Sequence, residues 1–185
     1  MNDQITPSVN HTIKGTCWVA DDYVMAYDII VQEYWISPID PALNSEHVMA
    51  GVKEEFNQKN AFKDRGYTFI VAAHNFAGGG KSIEHVIAGL MGAGIKAVFA
   101  DSFARLQFRN AINYGLPFVV SKNIAQGCQT DDELEYNPQT GLIKNVTQGT
   151  EFSSLPAAPF VAEVKEAGGL MNYVRSKIKK GEPIG

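Results

Sequence analysis

Short, continuously apolar runs alternate with amphipathic stretches through the middle of the chain. Residues 67–73 (YTFIVAA) form the first run, which resembles a buried parallel strand and leads directly into a glycine-rich segment. The spacing of the next apolar residues predicts a helix over 82–91, which Gly92 and Gly94 end. The apolar stripe of this helix consists of Ile83, Val86, Ile87 and Leu90. A buried strand, a glycine loop and a helix are therefore expected in succession.

The alternation continues with a strand predicted over 95–100, a helix over 102–113 closed by Gly115, and a strand over 116–120. Strand, helix, strand, helix and strand at this spacing are typical of parallel strands joined by right-handed crossovers. The predicted fold class is therefore α/β, with a parallel βαβαβ core.

The segments before this core are less regular. Residues 12–19 predict a strand, and residues 28–32 predict a short apolar segment behind the acidic turn formed by Asp21 and Asp22. Residues 37–60 are polar and predict helical structure.

After residue 126 the pattern becomes that of short strands. Residues 133–136 and 142–146 flank a turn at 137–141 and predict a β-hairpin, and residues 151–154 predict one further strand. Two C-terminal helices follow, and the basic end of the second suits a helix C-terminus. Its apolar stripe consists of Leu170, Tyr173, Val174 and Ile178. The parallel core is thus extended by a β-hairpin and by C-terminal helices.

The length of 185 residues predicts a single domain over 1–185, with a flexible N-terminal segment at 1–12 and a short tail at 181–185. Hydrophobic residues make up 45% and charged residues 19% of the chain, which is an ordinary globular composition. No apolar run approaches the roughly 18 residues of a membrane span. The polar start of the chain does not resemble a secretory signal, so we expect a cytoplasmic protein.

The formal net charge of -4 disfavours nucleic acid as a partner. Cys17 and Cys128 are the only cysteines, too few for a disulfide framework or for the thiolates that an iron-sulfur cluster needs. No Cys or His pair has the spacing of a zinc site. We therefore expect no metal to be bound by this chain itself.

Candidate chemistry concentrates in residues 75–85 (NFAGGGKSIEH), between a buried strand and a helix start. Backbone N–H groups and the helix dipole at such a place attract an anion, and consecutive glycines let it approach closely. A phosphate or a carboxylate would fit, although a flexible turn without a ligand is the alternative. A nucleotide P-loop, G-x-x-x-x-G-K-S/T, would need glycine where the chain has Asn75, so this possibility is less favoured.

Three segments carry a resemblance over about residues 14–179: NFAGGGKSIEHV, GIKAVFADSFARLQFRNAINYGLP and LPAAPFVAEVKEAGGLMNYV. They resemble the small subunit of the 3-isopropylmalate dehydratase and homoaconitase group, which corresponds to the swivelling domain of aconitase. The resemblance implies a swivelling β/β/α domain of aconitase type. It also implies an active site shared with a large subunit, whose cysteines hold a 4Fe-4S cluster.

In such enzymes the small subunit closes over the cluster as a lid and brings its glycine loop to a small dicarboxylic acid. The resemblance therefore implies a hydro-lyase small subunit that is active only with its large partner and that can form a homo-oligomer when isolated. No cofactor is expected on this chain.

The glycine loop departs from the family pattern G-x-G-S-S-R-E-H at two functional positions. The matching residues are Gly78, Gly80, Ser82, Glu84 and His85, and Gly79 lies between the first two. Lys81 replaces the serine that acts as base in the family, and Ile83 replaces the arginine that grips a substrate carboxylate.

Two roles are open for Lys81. A lysine in a closed, water-poor site at a helix start has a lowered pKa and can act as a general base. Alternatively, its charge holds a carboxylate, and Ser82 or a group of the large subunit moves the proton. Two interpretations are also open for Ile83. Either it lies at the substrate and the bidentate carboxylate contact of the family's arginine is lost, or it joins the core with the apolar stripe of the helix. Glu84 and His85 are expected to support the loop structurally.

Two further candidate segments precede the core. Where the family has D-T-D, this chain has Ala26-Tyr27-Asp28, so Asp28 is the remaining candidate catalytic carboxylate. By the same resemblance, the family's substrate-selecting loop corresponds to Tyr34, Trp35, Ile36 and Ser37. Homoaconitase-like members carry arginine where this chain has Ile36, so an alkyl-bearing malate is expected to be preferred over a tricarboxylate.

The sequence thus supports a dehydratase small subunit that acts on 3-isopropylmalate, 2,3-dimethylmalate or a citramalate-like acid. The altered loop leaves leucine biosynthesis, the usual setting of the family, less secure. The alternative is a non-catalytic homologue that serves as a binding or regulatory protein.

Overall fold

The computed structural model describes residues 12–183, which form a seven-stranded mixed sheet. The strands are β1 (Ile13–Val19), β2 (Phe69–Ala72), β3 (Ala97–Ala100), β4 (Phe118–Val120), β5 (Glu133–Asn137), β6 (Leu142–Asn145) and β7 (Thr150–Ser153). The α-helices are α1 (Ala26–Ile29), α2 (Pro41–Asn44), α3 (Glu84–Gly92), α4 (Arg105–Tyr114), α5 (Pro159–Glu166) and α6 (Leu170–Lys180). Apart from Thr12, the predicted N-terminal segment lies outside the described residues, as do the last two residues of the predicted tail.

One half of the sheet is parallel. Its strands lie in the order β4-β3-β2-β1, and α3 and α4 connect β2 to β3 and β3 to β4. Every residue of β2 and β3 is buried, as expected for parallel strands that are covered on both faces. The predicted parallel βαβαβ core is therefore confirmed, and β1 adds one more parallel strand to it.

The other half of the sheet is antiparallel. β5 pairs with the opposite edge of β1, β6 pairs with β5, and β7 pairs with β6. The predicted hairpin and the further strand are both confirmed. β1 therefore joins the two halves. Because β1 to β4 run parallel, their carboxyl ends lie at the same edge of the sheet.

Alternate strand residues supply two apolar cores on opposite faces of the sheet, as the period of two requires. Trp18, Ile70 and Val98 belong to the core beneath α3, whereas Phe69 and Phe99 belong to the core beneath the hairpin.

The helical structure predicted over 37–60 is wrong in extent. Asp40 caps the short helix α2 through the N–H groups of Ala42 and Leu43, and the chain then continues in single 3-10 turns. These turns wrap over α3, with Met49 and Phe56 fully buried. Packing against α3, rather than local helix propensity, sets the path of this segment.

The boundaries of three other predicted elements also change. The helix predicted from residue 82 begins at Glu84, and the one predicted from residue 102 begins at Arg105. The apolar segment predicted at 28–32 is partly the helical turn α1. Of the stripe predicted for the last helix, Ile178 is 63% exposed and does not join the core.

Candidate functional site

The chain leaves β2 through a segment that we call the glycine loop, residues 74–83. On one side, the N–H of Ala26 donates to the carbonyl of Gly78 (2.9 Å), and the N–H of Gly78 donates to Val24 (3.1 Å). On the other side, Phe76 exchanges backbone hydrogen bonds with the loop after β3: its N–H donates to Ser102 and its carbonyl accepts from Ala104, both at 3.1 Å. The glycine loop is therefore held between the segments that follow the two neighbouring strands, β1 and β3.

Buried and exposed residues divide the glycine loop into two parts. Phe76 and Ala77 are fully buried and anchor it, whereas residues 79–82 are exposed. Gly79 and Gly80 have φ angles of 103° and 73°, a region that favours glycine. No side chain of the described residues caps the start of α3, which lies just beyond. The exposed part thus offers backbone to a ligand, as an anion site requires.

Lys81 is exposed, and its ammonium lies 5.6 Å from the centroid of the Tyr27 ring. A hydrogen bond to the Tyr27 side chain raises the pKa of Lys81. In the free chain Lys81 lies at the surface before the helix begins, so the lowered pKa expected for a closed, water-poor site stays a prediction. Both roles of Lys81, general base and carboxylate binder, also stay predictions.

Ser82 turns toward α4. Its hydroxyl donates to Oδ1 of Asn110 (3.1 Å), and Nε2 of Gln107 donates to the carbonyl of Lys81 (3.1 Å). Gln107 and Asn110 are buried and bond to each other. This polar pair fixes the backbone of Lys81 and Ser82 from below, while the catalytic role of Ser82 stays a prediction.

Three ring side chains, which we call the aromatic column, join the predicted substrate-selecting loop to the glycine loop. Tyr27 stacks on Trp35 (centroids 6.1 Å apart, planes at 20°), and Trp35 stacks on His85 (5.5 Å, 13°). Nε2 of His85 lies 2.9 Å from the carbonyl oxygen of Ile36. Trp35 and Ile36 are therefore held beside the start of α3.

The other two residues of the substrate-selecting loop are placed differently. The ring of Tyr34 stacks on His47, with centroids 3.8 Å apart and planes at 6°, and so does not join the aromatic column. Ser37 is exposed. Substrate contact by these four loop residues remains a prediction, and the structure places the loop beside the glycine loop.

Asp28 reaches the same edge of the sheet on the helical turn α1. The carbonyl of Asp28 accepts a hydrogen bond from the N–H of Gly51 (2.9 Å). Two residues earlier on the same turn, Ala26 is bonded to Gly78, which places α1 beside the glycine loop. Asp22 instead binds the N–H of His74 (2.9 Å), and this contact lowers the pKa of the Asp22 carboxyl. Asp22 is thus a turn residue, as predicted, and the catalytic role of Asp28 stays a prediction.

The residues at the start of α3 contact other parts of this chain. Ile83 is 3% exposed and lies in the core, which agrees with one of its two predicted interpretations. Glu84 accepts a hydrogen bond from the hydroxyl of Tyr114 (2.9 Å). Burial and this carboxylate raise the pKa of Tyr114 to about 12. Glu84 therefore ties α3 to α4, while His85 ties α3 to the substrate-selecting loop.

Sequence reasoning missed Tyr27, Gln107 and Asn110. Tyr27 stands at the central position of the altered D-T-D turn, so its departure from the family pattern was the available signal. Gln107 and Asn110 lie three residues apart on a helix, and only the packed structure places both beneath the glycine loop.

Between residues 12 and 183, no group of three or more His, Cys, Asp or Glu side chains is arranged to hold a metal. Burial raises the pKa of Cys17 to about 12 and that of Cys128 to about 11. Since a cluster is bound by thiolates, the chemistry of these thiols does not fit a cluster. Within the same residues no helix is both long and apolar enough to cross a membrane.

The glycine loop forms an open surface, and an apolar cavity of about 410 Å³ lies elsewhere, between α4, β4 and residues 155–161. The cavity shares none of its lining residues with the glycine loop or the aromatic column. The exposed residues 79–82 of the glycine loop therefore lie apart from this cavity.

Comparison with known proteins gives a consistent result. A family model described as the aconitase C-terminal domain matches residues 40–123. The chain is 38% identical over 152 residues to a 3-isopropylmalate dehydratase small subunit from Caldanaerobacter subterraneus subsp. tengcongensis, covering 82% of this chain and 91% of that protein. It is 39% identical over 170 residues to an isopropylmalate/citramalate isomerase small subunit from Methanocaldococcus jannaschii, covering 92% and 98%.

The crystal structure of a 3-isopropylmalate dehydratase from Methanocaldococcus jannaschii has the same fold. The two structures superpose with a TM-score of 0.80 at 32% sequence identity, covering 92% of this chain and 97% of that one. The predicted α/β swivelling domain of aconitase type is thus confirmed.

Proposed function

Because the chain belongs to the family of 3-isopropylmalate dehydratase small subunits, we propose that it is the small subunit of a two-part dehydratase or isomerase acting on an alkyl-substituted malate. One observation carries the proposal. The glycine loop, the Lys81 ammonium and the aromatic column converge on one face at the carboxyl edge of the parallel strands. Such an edge is where ligands bind in open α/β sheets.

In the proposed complex, the large subunit holds a 4Fe-4S cluster, which when bound supplies a Lewis acid for the departing hydroxyl group of the substrate. Within residues 12–183 no three His, Cys, Asp or Glu side chains are grouped so that they could hold a metal ion. Its contribution is a lid that brings positive charge, backbone N–H groups and apolar side chains to the other end of the substrate.

The Lys81 ammonium binds one substrate carboxylate in this proposal. As an exposed lysine it is charged at neutral pH, and its position beside exposed glycines lets the same carboxylate approach the backbone. Proton transfer at carbon then falls to Ser82, to Asp28 or to a group of the large subunit. Closure of the two subunits would exclude water and strengthen these contacts.

The substrate class follows from the loop that the aromatic column holds. Trp35 and Ile36 offer apolar surface where an additional carboxylate would find no arginine. We therefore infer a preference for 3-isopropylmalate, 2,3-dimethylmalate or a citramalate-like acid over citrate or homocitrate.

The test is anaerobic reconstitution of the chain with a cluster-loaded large subunit of the same family, followed by steady-state assays on these acids. We expect turnover of at least one alkylmalate and none by either subunit alone. Preference for a tricarboxylate would contradict the substrate class.

A second candidate is a non-catalytic homologue. It is favoured because Lys81 and Ile83 stand where the family has its functional serine and arginine. It would bind a dicarboxylate in calorimetry without turning it over. A cluster-loaded complex that binds 3-isopropylmalate but dehydrates none of the acids would favour this candidate over the enzyme.

A further inference from the structure

Two residues that depart from the family pattern touch each other. Lys81 stands where the family has a serine, and Tyr27 stands where the family has the threonine of D-T-D. They come from distant parts of the chain, yet the Lys81 ammonium lies over the Tyr27 ring at 5.6 Å. Two short hydroxyl residues are thus replaced together by a cation and an aromatic ring.

We propose that Tyr27 positions the Lys81 ammonium for the substrate carboxylate, so that the two residues form one anion-binding unit. This inference rests on the proposed function and deepens it. Tyr27 is a positioning residue here, and Lys81 is the group that touches the substrate.

The backbone of Tyr27 is held on both sides. Its neighbour Ala26 is buried and donates to Gly78 (2.9 Å), while the carbonyl of Ile29 accepts from the N–H of Met49 (2.6 Å). The ring is half-buried and stacks on Trp35. Tyr27 is therefore a rigid element against which a flexible side chain can be ordered.

The Tyr27 ring also lies along the glycine loop. A Cβ atom on Gly79 would be 3.5 Å from Cδ2 of Tyr27, so the ring lies against the backbone two residues before Lys81. The backbone of Lys81 is fixed separately by Gln107 on α4. With its backbone and its ammonium both restrained, the Lys81 side chain spans a defined path over the loop.

The restraint leaves the charge available to a ligand. The contributors to the raised pKa of Lys81 include Tyr27 but no carboxylate, and in residues 12–183 Lys81 makes no ion pair. The carboxyl of Asp28 lies on the same helical turn as Tyr27, and His85 lies behind Trp35. An aromatic face and a neutral hydroxyl orient an ammonium without neutralising it, whereas a carboxylate partner would compete with the substrate.

The test uses the reconstituted complex with 3-isopropylmalate and compares Tyr27→Leu, Tyr27→Phe, Lys81→Met and the Tyr27→Leu/Lys81→Met double variant. We expect Lys81→Met to raise KM by about 10- to 100-fold, the range of a hydrogen bond to a charged group. Tyr27→Leu should raise KM by about 5- to 10-fold with a nearly unchanged kcat, and Tyr27→Phe, which keeps the ring, by less. The double variant should be no worse than Lys81→Met, because the effect of Tyr27 acts through Lys81.

Tyr23→Leu is the matched control, since Tyr23 is 62% exposed and stacks on His74 away from Lys81. It should leave KM unchanged. Additive effects of the two substitutions, or a Tyr27→Leu variant that lowers kcat alone, would overturn the proposal.

A second measurement does not depend on turnover. In the isolated chain, the Cε methylene of Lys81 should show an upfield ring-current shift in NMR spectra that Tyr27→Leu abolishes and Tyr27→Phe keeps. A Lys81 signal that is insensitive to Tyr27→Leu would overturn the positioning role. Lack of turnover in the wild-type complex would instead contradict the proposed function, and the NMR result would still decide whether the pair exists.

Discussion

At the scale of single residues, His85 connects two parts of the candidate site. His85→Ala removes its contact with the Ile36 carbonyl at 2.9 Å and its stack on Trp35. A net hydrogen bond and an aromatic pair are each worth about 1 kcal/mol, so we expect the free energy of unfolding to fall by about 2 kcal/mol. Urea unfolding of the isolated chain, followed by circular dichroism, measures this loss.

His74→Ala is the matched control for His85. His74 also contacts a neighbouring group, but its ion pair with Asp22 is exposed, with side chains 56% and 47% accessible. Exposed pairs contribute about 0–1 kcal/mol. Equal losses for the two variants would show that His85 does not hold the substrate-selecting loop.

The two cysteines allow a prediction about reactivity. Burial raises the pKa of Cys17 to about 12 and that of Cys128 to about 11, so the thiolate fraction at about pH 8 is far lower than for a free cysteine. A disulfide reagent should label the native chain slowly and both thiols rapidly in denaturant. Rapid labelling of either cysteine in the folded chain would contradict its burial.

At the scale of elements, the close contact of α2 with α3 depends on Gly92. A Cβ atom there would lie well inside van der Waals contact of the Pro41 carbonyl. Replacing glycine by alanine usually stabilises a helix by about 0.5–1 kcal/mol, but overpacking costs about 1–3 kcal/mol. We therefore expect Gly92→Ala to lower the melting temperature by several degrees in a thermal unfolding experiment.

The neighbouring Met91 provides the comparison for Gly92. Its side chain is 36% exposed, and Met91→Ala should change the free energy of unfolding by less than about 1 kcal/mol. An unchanged or increased stability of Gly92→Ala would mean that α2 can move away without cost.

The elements that hydrophobic periodicity predicted correctly are those with strong local patterns. β2 and β3 are fully buried runs, and the hairpin has a clear turn between two short strands. The start of α3 was placed too early, because hydrogen bonds with side chains of α4 hold Lys81 and Ser82 outside the helix. Such bonds link residues that are far apart in sequence, so no local pattern reports them.

At the scale of the whole molecule, the sequence identified the segments of the candidate site but not their contacts. The glycine loop was evident from its position between strand and helix, whereas Asp28 and the loop at 34–37 depended on the resemblance to a family. The contact of Lys81 with Tyr27 was out of reach, and in the free chain it raises the pKa of Lys81, while the lowered pKa expected for a closed site stays a prediction. Burial and neighbouring charges determine a pKa, and both are properties of the folded chain.

We predict that this chain folds without a metal, because two apolar cores lie on the two faces of the sheet. They are built from apolar side chains, and within the described part of the chain no cluster of metal-ligating residues supports them. A chelator should therefore leave the melting temperature of the isolated chain unchanged within about 1 °C, whereas a structural metal that binds only the native state would stabilise it measurably.

The same reasoning predicts where oxidative inactivation of the proposed complex occurs. If air or a chelator abolishes activity, chain recovered from the inactive complex should restore full turnover when mixed with fresh cluster-loaded large subunit, because its own thiols are buried. Recovered large subunit mixed with fresh chain should remain inactive. The opposite result would place the sensitive group on this chain and contradict the proposed division of the active site.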